Sequence, residues 1–175
     1  LTALAISLLL LAACVPAPTS LPLTPIAPPV LGRTGLSHVQ LSIYPDDDEQ
    51  RLLDRIAAAR QRVWMTMYLL TDMRVVDALA SAQQNGADVR VLLEPQPYGS
   101  ESSVSAGRAF TNLTNKGIRV KYSNPAFRYT HQKSLIIDQS SVILTANMTR
   151  AAFTRNREFV LLDSDAVDVT EIAAA

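Results

Sequence analysis

A single cysteine, Cys14, excludes a disulfide within the chain. Only two histidines, His38 and His131, are present. No group of carboxylates, cysteines and histidines has metal-ligand spacing, so neither a metal nor another cofactor is expected. Charge of one sign is not in excess: 16 basic residues balance 16 acidic ones, which weighs against a uniformly basic nucleic-acid footprint. A membrane-spanning run is also lacking. The almost wholly apolar stretch from Leu1 to Ala13 has thirteen residues, and a span takes about 20. No basic residue precedes that stretch and the chain starts at Leu1, so the gene start is expected to lie upstream. Glu171 to Ala175 reads as the middle of a helix without a stop signal, so the domain is expected to be truncated there.

What is present is concentrated. From Lys116 to Arg157 there are eight basic residues and one acid, Asp138. Local positive charge favours an anionic ligand, although Lys116, Arg119 and Lys121 also suit solvated strand and loop ends. Within this window His131 and Lys133 stand two residues apart, just ahead of the apolar run Leu135–Ile137. In an extended chain such side chains share a face. An imidazole nucleophile beside a fixed cation suits attack on a phosphoryl group, because the cation neutralises the equatorial oxygens.

Strand and helix patterns alternate from Val39 onward. Val39–Ile43 alternates as a half-buried strand, and Leu52, Leu53, Ile56 and Ala57 recur at helical spacing. Val63–Leu70 reads as a central strand, with Trp64, Met65 and Met67 as core. Thr71 or Asp72 can cap a helix whose inner face is Val75, Val76, Leu79 and Ala80, ended by Asn85-Gly86. A strand over Val89–Leu93, a loop from Glu94 to Gly99 and a helix through Ala106, Ala109, Phe110 and Leu113 follow. Strands are expected at 118–122, 135–137, 142–144 and 159–162. The pattern implies an α/β layered sandwich with a mixed, mostly parallel sheet flanked by helices, in which the adjacent late strands can pair antiparallel. His38, at the entrance to the fold, is read as a surface residue without a role.

Leu11-Ala12-Ala13-Cys14 resembles the lipobox of bacterial lipoproteins. That resemblance implies a signal peptide over 1–14, lipidation of Cys14, and a place on the periplasmic or extracellular side of the cell envelope. Six prolines between Val15 and Val30 cannot build a core, and make 15–37 a tether. The folded domain is then 38–175.

His131-x-Lys133-x4-Asp138 is followed by Thr145-Ala146-Asn147-Met148-Thr149 and by Asn156-Arg157-Glu158. These three pieces, in this order, resemble the phospholipase D superfamily over nearly the whole domain. One departure is Leu144-Thr145, where the family often has Gly-Ser; Thr145 still offers a hydroxyl. The resemblance implies that His131 is nucleophile or general acid, and that Lys133 and Asn147 bind non-bridging oxygens. It implies that Glu158 accepts a hydrogen bond from the ring, the alternative being a salt bridge to Arg155 or Arg157. Asn147 could instead cap its own turn. Asp138 belongs to the motif but suits holding the strand or loop better than touching substrate. Thr145, Thr149 and Tyr129 could line the pocket or simply pack. The superfamily joins two such motifs, so the partner would be a second copy, in a longer chain or a homodimer. The implied activity is hydrolysis or transfer of phosphodiesters through a phosphohistidine, with phospholipid as the substrate. The alternatives are a homodimeric periplasmic or secreted endonuclease, or a catalytically silent lipoprotein that binds an anionic ligand.

Overall fold

The computed structural model describes residues 37–175. The expected signal peptide, Cys14 and all but the last residue of the expected tether lie outside the described residues. In chain order the elements are β1 (Val39–Tyr44), α1 (Gln50–Ala57), β2 (Arg62–Met67), α2 (Met73–Gln84), β3 (Asp88–Leu93) and α3 (Ser100–Asn115), then β4 (Arg119–Tyr122), β5 (Lys133–Ile137), β6 (Ser140–Leu144), α4 (Arg150–Thr154), β7 (Glu158–Asp163) and α5 (Ala166–Ala174). Among the described residues no helix is long and apolar enough to cross a membrane.

The seven strands form one sheet in the order β1-β7-β6-β5-β2-β3-β4. The layered, mixed α/β architecture is as expected, but the sheet is not mostly parallel. Only β2–β3 and β3–β4 run parallel, and the other four pairings are antiparallel. The reason lies in the connections. A parallel pair needs a long crossover, and α2 and α3 provide those between β2, β3 and β4. The segment from Ser123 to Gln132 contains no helix, so β5 enters antiparallel to β2.

Alternation along the strands divides the two faces. Val63, Met65 and Met67 of β2 join Val89, Val91 and Leu93 of β3 in the core, packed with Leu53 and Ile56 of α1, Leu79 of α2 and Phe153 of α4. Trp64 is a correction: it faces away from this core, half-buried, between the guanidinium groups of Arg90 and Arg62 at 4.6 and 5.1 Å from its ring. A strand's period of two places neighbours of a core residue on the opposite face. Asp72, rather than Thr71, caps α2, accepting from the Arg74 amide. Beyond its C-cap, Gly86 takes φ 93°, the left-handed conformation expected of Asn-Gly.

His38 is not a free surface residue. Its Nδ1 lies 2.8 Å from Asp163 Oδ1, which ties the entrance of β1 to the end of β7. The hydrogen bond to Asp163 raises the His38 pKa above its ordinary value.

Candidate active site

Lys133 opens β5 and is 7% exposed, whereas His131, just before the strand, is exposed. The Lys133 ammonium stands 3.3 Å from His131 Nδ1 and 3.2 Å from Nε2, and donates to the His131 carbonyl at 2.9 Å. Burial and then the Lys133 charge hold the imidazole below its usual pKa. Burial also lowers the Lys133 pKa, partly opposed by the Glu158 carboxylate. Both effects favour the neutral ring, with the Lys133 ammonium already beside it.

Tyr68 was missed by sequence reasoning, being absorbed into an apolar run. It follows β2 directly. Its ring meets the His131 ring edge-on with centroids 4.4 Å apart, and the Lys133 ammonium lies 5.2 Å from its centroid. Its hydroxyl accepts from the Tyr98 amide at 2.6 Å, which fixes the ring's far end. Tyr129 packs edge-on against Tyr68 at 6.2 Å. A polar-tipped aromatic just where the core run ends was the available signal.

The same extension of β2 anchors the turn that carries Asn147. Met148 bridges Leu70, its amide donates to the Leu69 carbonyl, and its carbonyl accepts from the Thr71 and Asp72 amides. Among the described residues, buried Asn147 Oδ1 has no hydrogen-bond partner. Buried acceptors are rarely left so; this oxygen can take only a donor, and the Asn147 amide NH2 is the group that can donate.

Glu158 does not bond the His131 ring. Its carboxylate takes the Thr145 hydroxyl and the Asn156 amide, and no Arg155 or Arg157 salt bridge forms. Arg157 reaches Asp46 instead. Thr145 is clipped to β7, its Oγ1 also accepting from the Phe159 amide. Thr149 caps α4 through the Ala152 amide. Asp138 lies at the opposite end of β5, about 17 Å along the strand from Lys133. Its carboxylate accepts from the backbone amides of Arg60, Gln61 and Arg62. Burial pushes that carboxyl up, but the amides outweigh it and hold it below the usual range. Asp138 thus locks the β5–β6 turn to the start of β2 and does not join the cluster.

An imidazole and an ammonium meet at the strand ends of a mixed α/β sheet, and the chain belongs to the phospholipase D-like family. Residues 52–175 match the family described as cardiolipin synthase, PLD-like domain. The chain is 34% identical over 122 residues to cardiolipin synthase A of Pseudomonas fluorescens SBW25, covering 69% of this chain and 25% of that one. It is 30% identical over 146 residues to cardiolipin synthase A of Pseudomonas entomophila L48, covering 80% and 30%. Nuc from Salmonella typhimurium, a phospholipase D family member, shares the fold with a TM-score of 0.68 at 24% identity, covering 78% of this chain and 89% of that one. Phosphatidylserine synthase of Haemophilus influenzae does so with a TM-score of 0.64 at 13% identity, covering 78% and 37%. The chain spans about a quarter of the length of the cardiolipin synthase A of Pseudomonas fluorescens that it matches.

Proposed function

We propose that this chain supplies one half of a phosphodiesterase centre that acts on phospholipid, with His131 as the nucleophile. The observation that carries the reading is the His131 ring nitrogen 3.2 Å from the buried Lys133 ammonium. A ring nitrogen attacks phosphorus and the bond to the leaving alcohol breaks. That alcohol's oxygen takes a proton from a second acid, since an alkoxide leaves poorly. Water then opens the phosphohistidine in hydrolysis, or a second alcohol opens it in transfer, the released proton returning to that same acid. Lys133 and Asn147 hold the non-bridging oxygens. Glu158 acts by charge, favouring the protonated state of Lys133.

The second acid is not His38, which sits with Asp163 at the far end of β7, about 17 Å from the Glu158 end. A second motif copy therefore completes the site, in a longer chain or a homodimer. The greater length of the curated relatives supports the first arrangement. Lipidation of Cys14, with 15–37 as tether and 38–175 as the catalytic domain, would hold the pocket near an envelope membrane.

The test compares parent and His131→Ala on phosphatidyl substrates and on plasmid DNA, in a chain carrying both motif copies. Headgroup release or exchange that falls by about 10³-fold or more in the variant is expected. Cleavage of plasmid alone would mean a nuclease. Equal inertness of parent and variant would leave only an anionic-ligand-binding protein.

A further inference from the structure

Glu94 directly follows β3 and is 4% exposed. Among the described residues it has no salt-bridge partner. A buried carboxylate without a cation needs several donors, and Glu94 has three. Oε2 accepts from the Thr130 amide at 2.7 Å and from the Ser123 hydroxyl at 3.3 Å, and Oε1 accepts from the Gln96 amide at 3.0 Å.

The partners' places matter more than their number. Ser123 and Thr130 are the two ends of an otherwise exposed segment that crosses from β4 towards β5. Thr130 precedes His131, whose carbonyl is in turn held by Lys133. Tyr129 precedes Thr130 and packs on Tyr68, which packs on His131. One carboxylate therefore grips the backbone from which both Tyr129 and His131 project. That stretch has no helix or strand of its own to hold it.

We propose that Glu94 is a positioning residue for His131, fixing the ring's direction of attack through the Thr130 amide. The inference rests on His131 being the nucleophile, and in-line attack tolerates little misalignment. Glu94 touches neither substrate nor reacting atom in this arrangement.

Residues 1–175 hold two histidines, so the imidazole NMR signals of that chain are assigned by one variant, His131→Ala. Glu94→Gln places an amide NH2 against a backbone N–H donor at one oxygen. It is expected to move the His131 ring signals and their titration while leaving those of His38 in place. In a chain carrying both motif copies, kcat should fall about tenfold or more with KM within about twofold. Ser123→Ala removes a contact to the same carboxylate away from His131, and should leave the ring signals and kcat as in the parent. If Glu94→Gln does not fold, Glu94→Asp withdraws the charge by one methylene and carries the same expectation. Unmoved His131 signals and parental kcat in a folded variant would overturn the proposal, even with a lowered Tm. Should the parent turn over no phosphodiester, the ring signals still decide the role of Glu94, and the functional reading fails alone.

Discussion

An ammonium 3.2 Å from an imidazole nitrogen is compatible with a neutral ring and strongly opposes a charged one. The folded pKa of His131 is depressed by burial and by Lys133. Folding therefore becomes less favourable at this residue as pH falls below about 6.5, where the unfolded chain binds the proton more readily. The acid limb of a kcat/KM profile should lie below that value. Lys133→Met should move the His131 titration upward when followed by NMR, while turnover is lost; a downward move would contradict the electrostatic account. Asp138 makes the opposite kind of prediction. It takes φ 52°, a left-handed conformation that Asp and Asn tolerate. Its Oδ1 accepts from all three amides, at 2.7 to 3.1 Å, and its Oδ2 shares the Arg60 amide at 3.2 Å. Asp138→Asn keeps that oxygen and should cost about 1 kcal/mol or less, whereas Asp138→Ala should cost about 2–3 kcal/mol in denaturant unfolding. Turnover per folded molecule should be unchanged in both. Loss of turnover in a fully folded Asp138→Asn would instead put this carboxylate in the chemistry.

At the scale of elements, the site is a meeting of strand ends. Tyr68 directly follows β2, Glu94 directly follows β3, β5 begins beside His131, and β7 begins with Glu158. The far ends are tied separately, and His38 with Asp163 is one such tie. The His38 pKa is raised by its hydrogen bond to Asp163, so its contribution is complete below about 6.5 and declines as pH rises through the raised value. Asp163 is held low, first by His38, so its contribution is lost as pH falls through the carboxylate range. The tie is therefore strongest between the two. His38→Ala should lower Tm more at pH 6 than at pH 9, with His131 and its turnover undisturbed. Most elements were legible because alternation and helical spacing are local patterns. Strand direction was not, since it depends on whether a helix lies in the crossover. The helix-free stretch 123–132 made the expected parallel order wrong at β5.

At the scale of the whole molecule, the described residues place one imidazole–ammonium pair at the strand-end edge of the sheet and the other histidine, His38, at the far end of β7. Of the eight basic residues between Lys116 and Arg157, Lys116, Arg119 and Arg157 pair with acids. The proposed anchor is tested at this scale. Cys14→Ser in the complete protein should shift most of it from the membrane to the soluble fraction, leaving turnover of detergent-dispersed substrate intact. Retention in the membrane fraction would mean that another segment holds it there.

The order of residues by itself determined the α/β class, the positions of most strands and helices, and the pairing of His131 with Lys133, because each follows from spacing within a few residues. Only the tertiary structure decided that Tyr68 packs on that pair and that Glu94 holds the segment before it, that Glu158 engages Thr145 and Asn156 instead of the ring, and that the strand-holding role expected of Asp138 is exerted on the amides of Arg60, Gln61 and Arg62. The contacts of Tyr68, Glu94 and Asp138 join segments tens of residues apart. They exist only because one sheet brings the ends of β2, β3, β5 and β7 to the same edge, and no local pattern encodes that meeting.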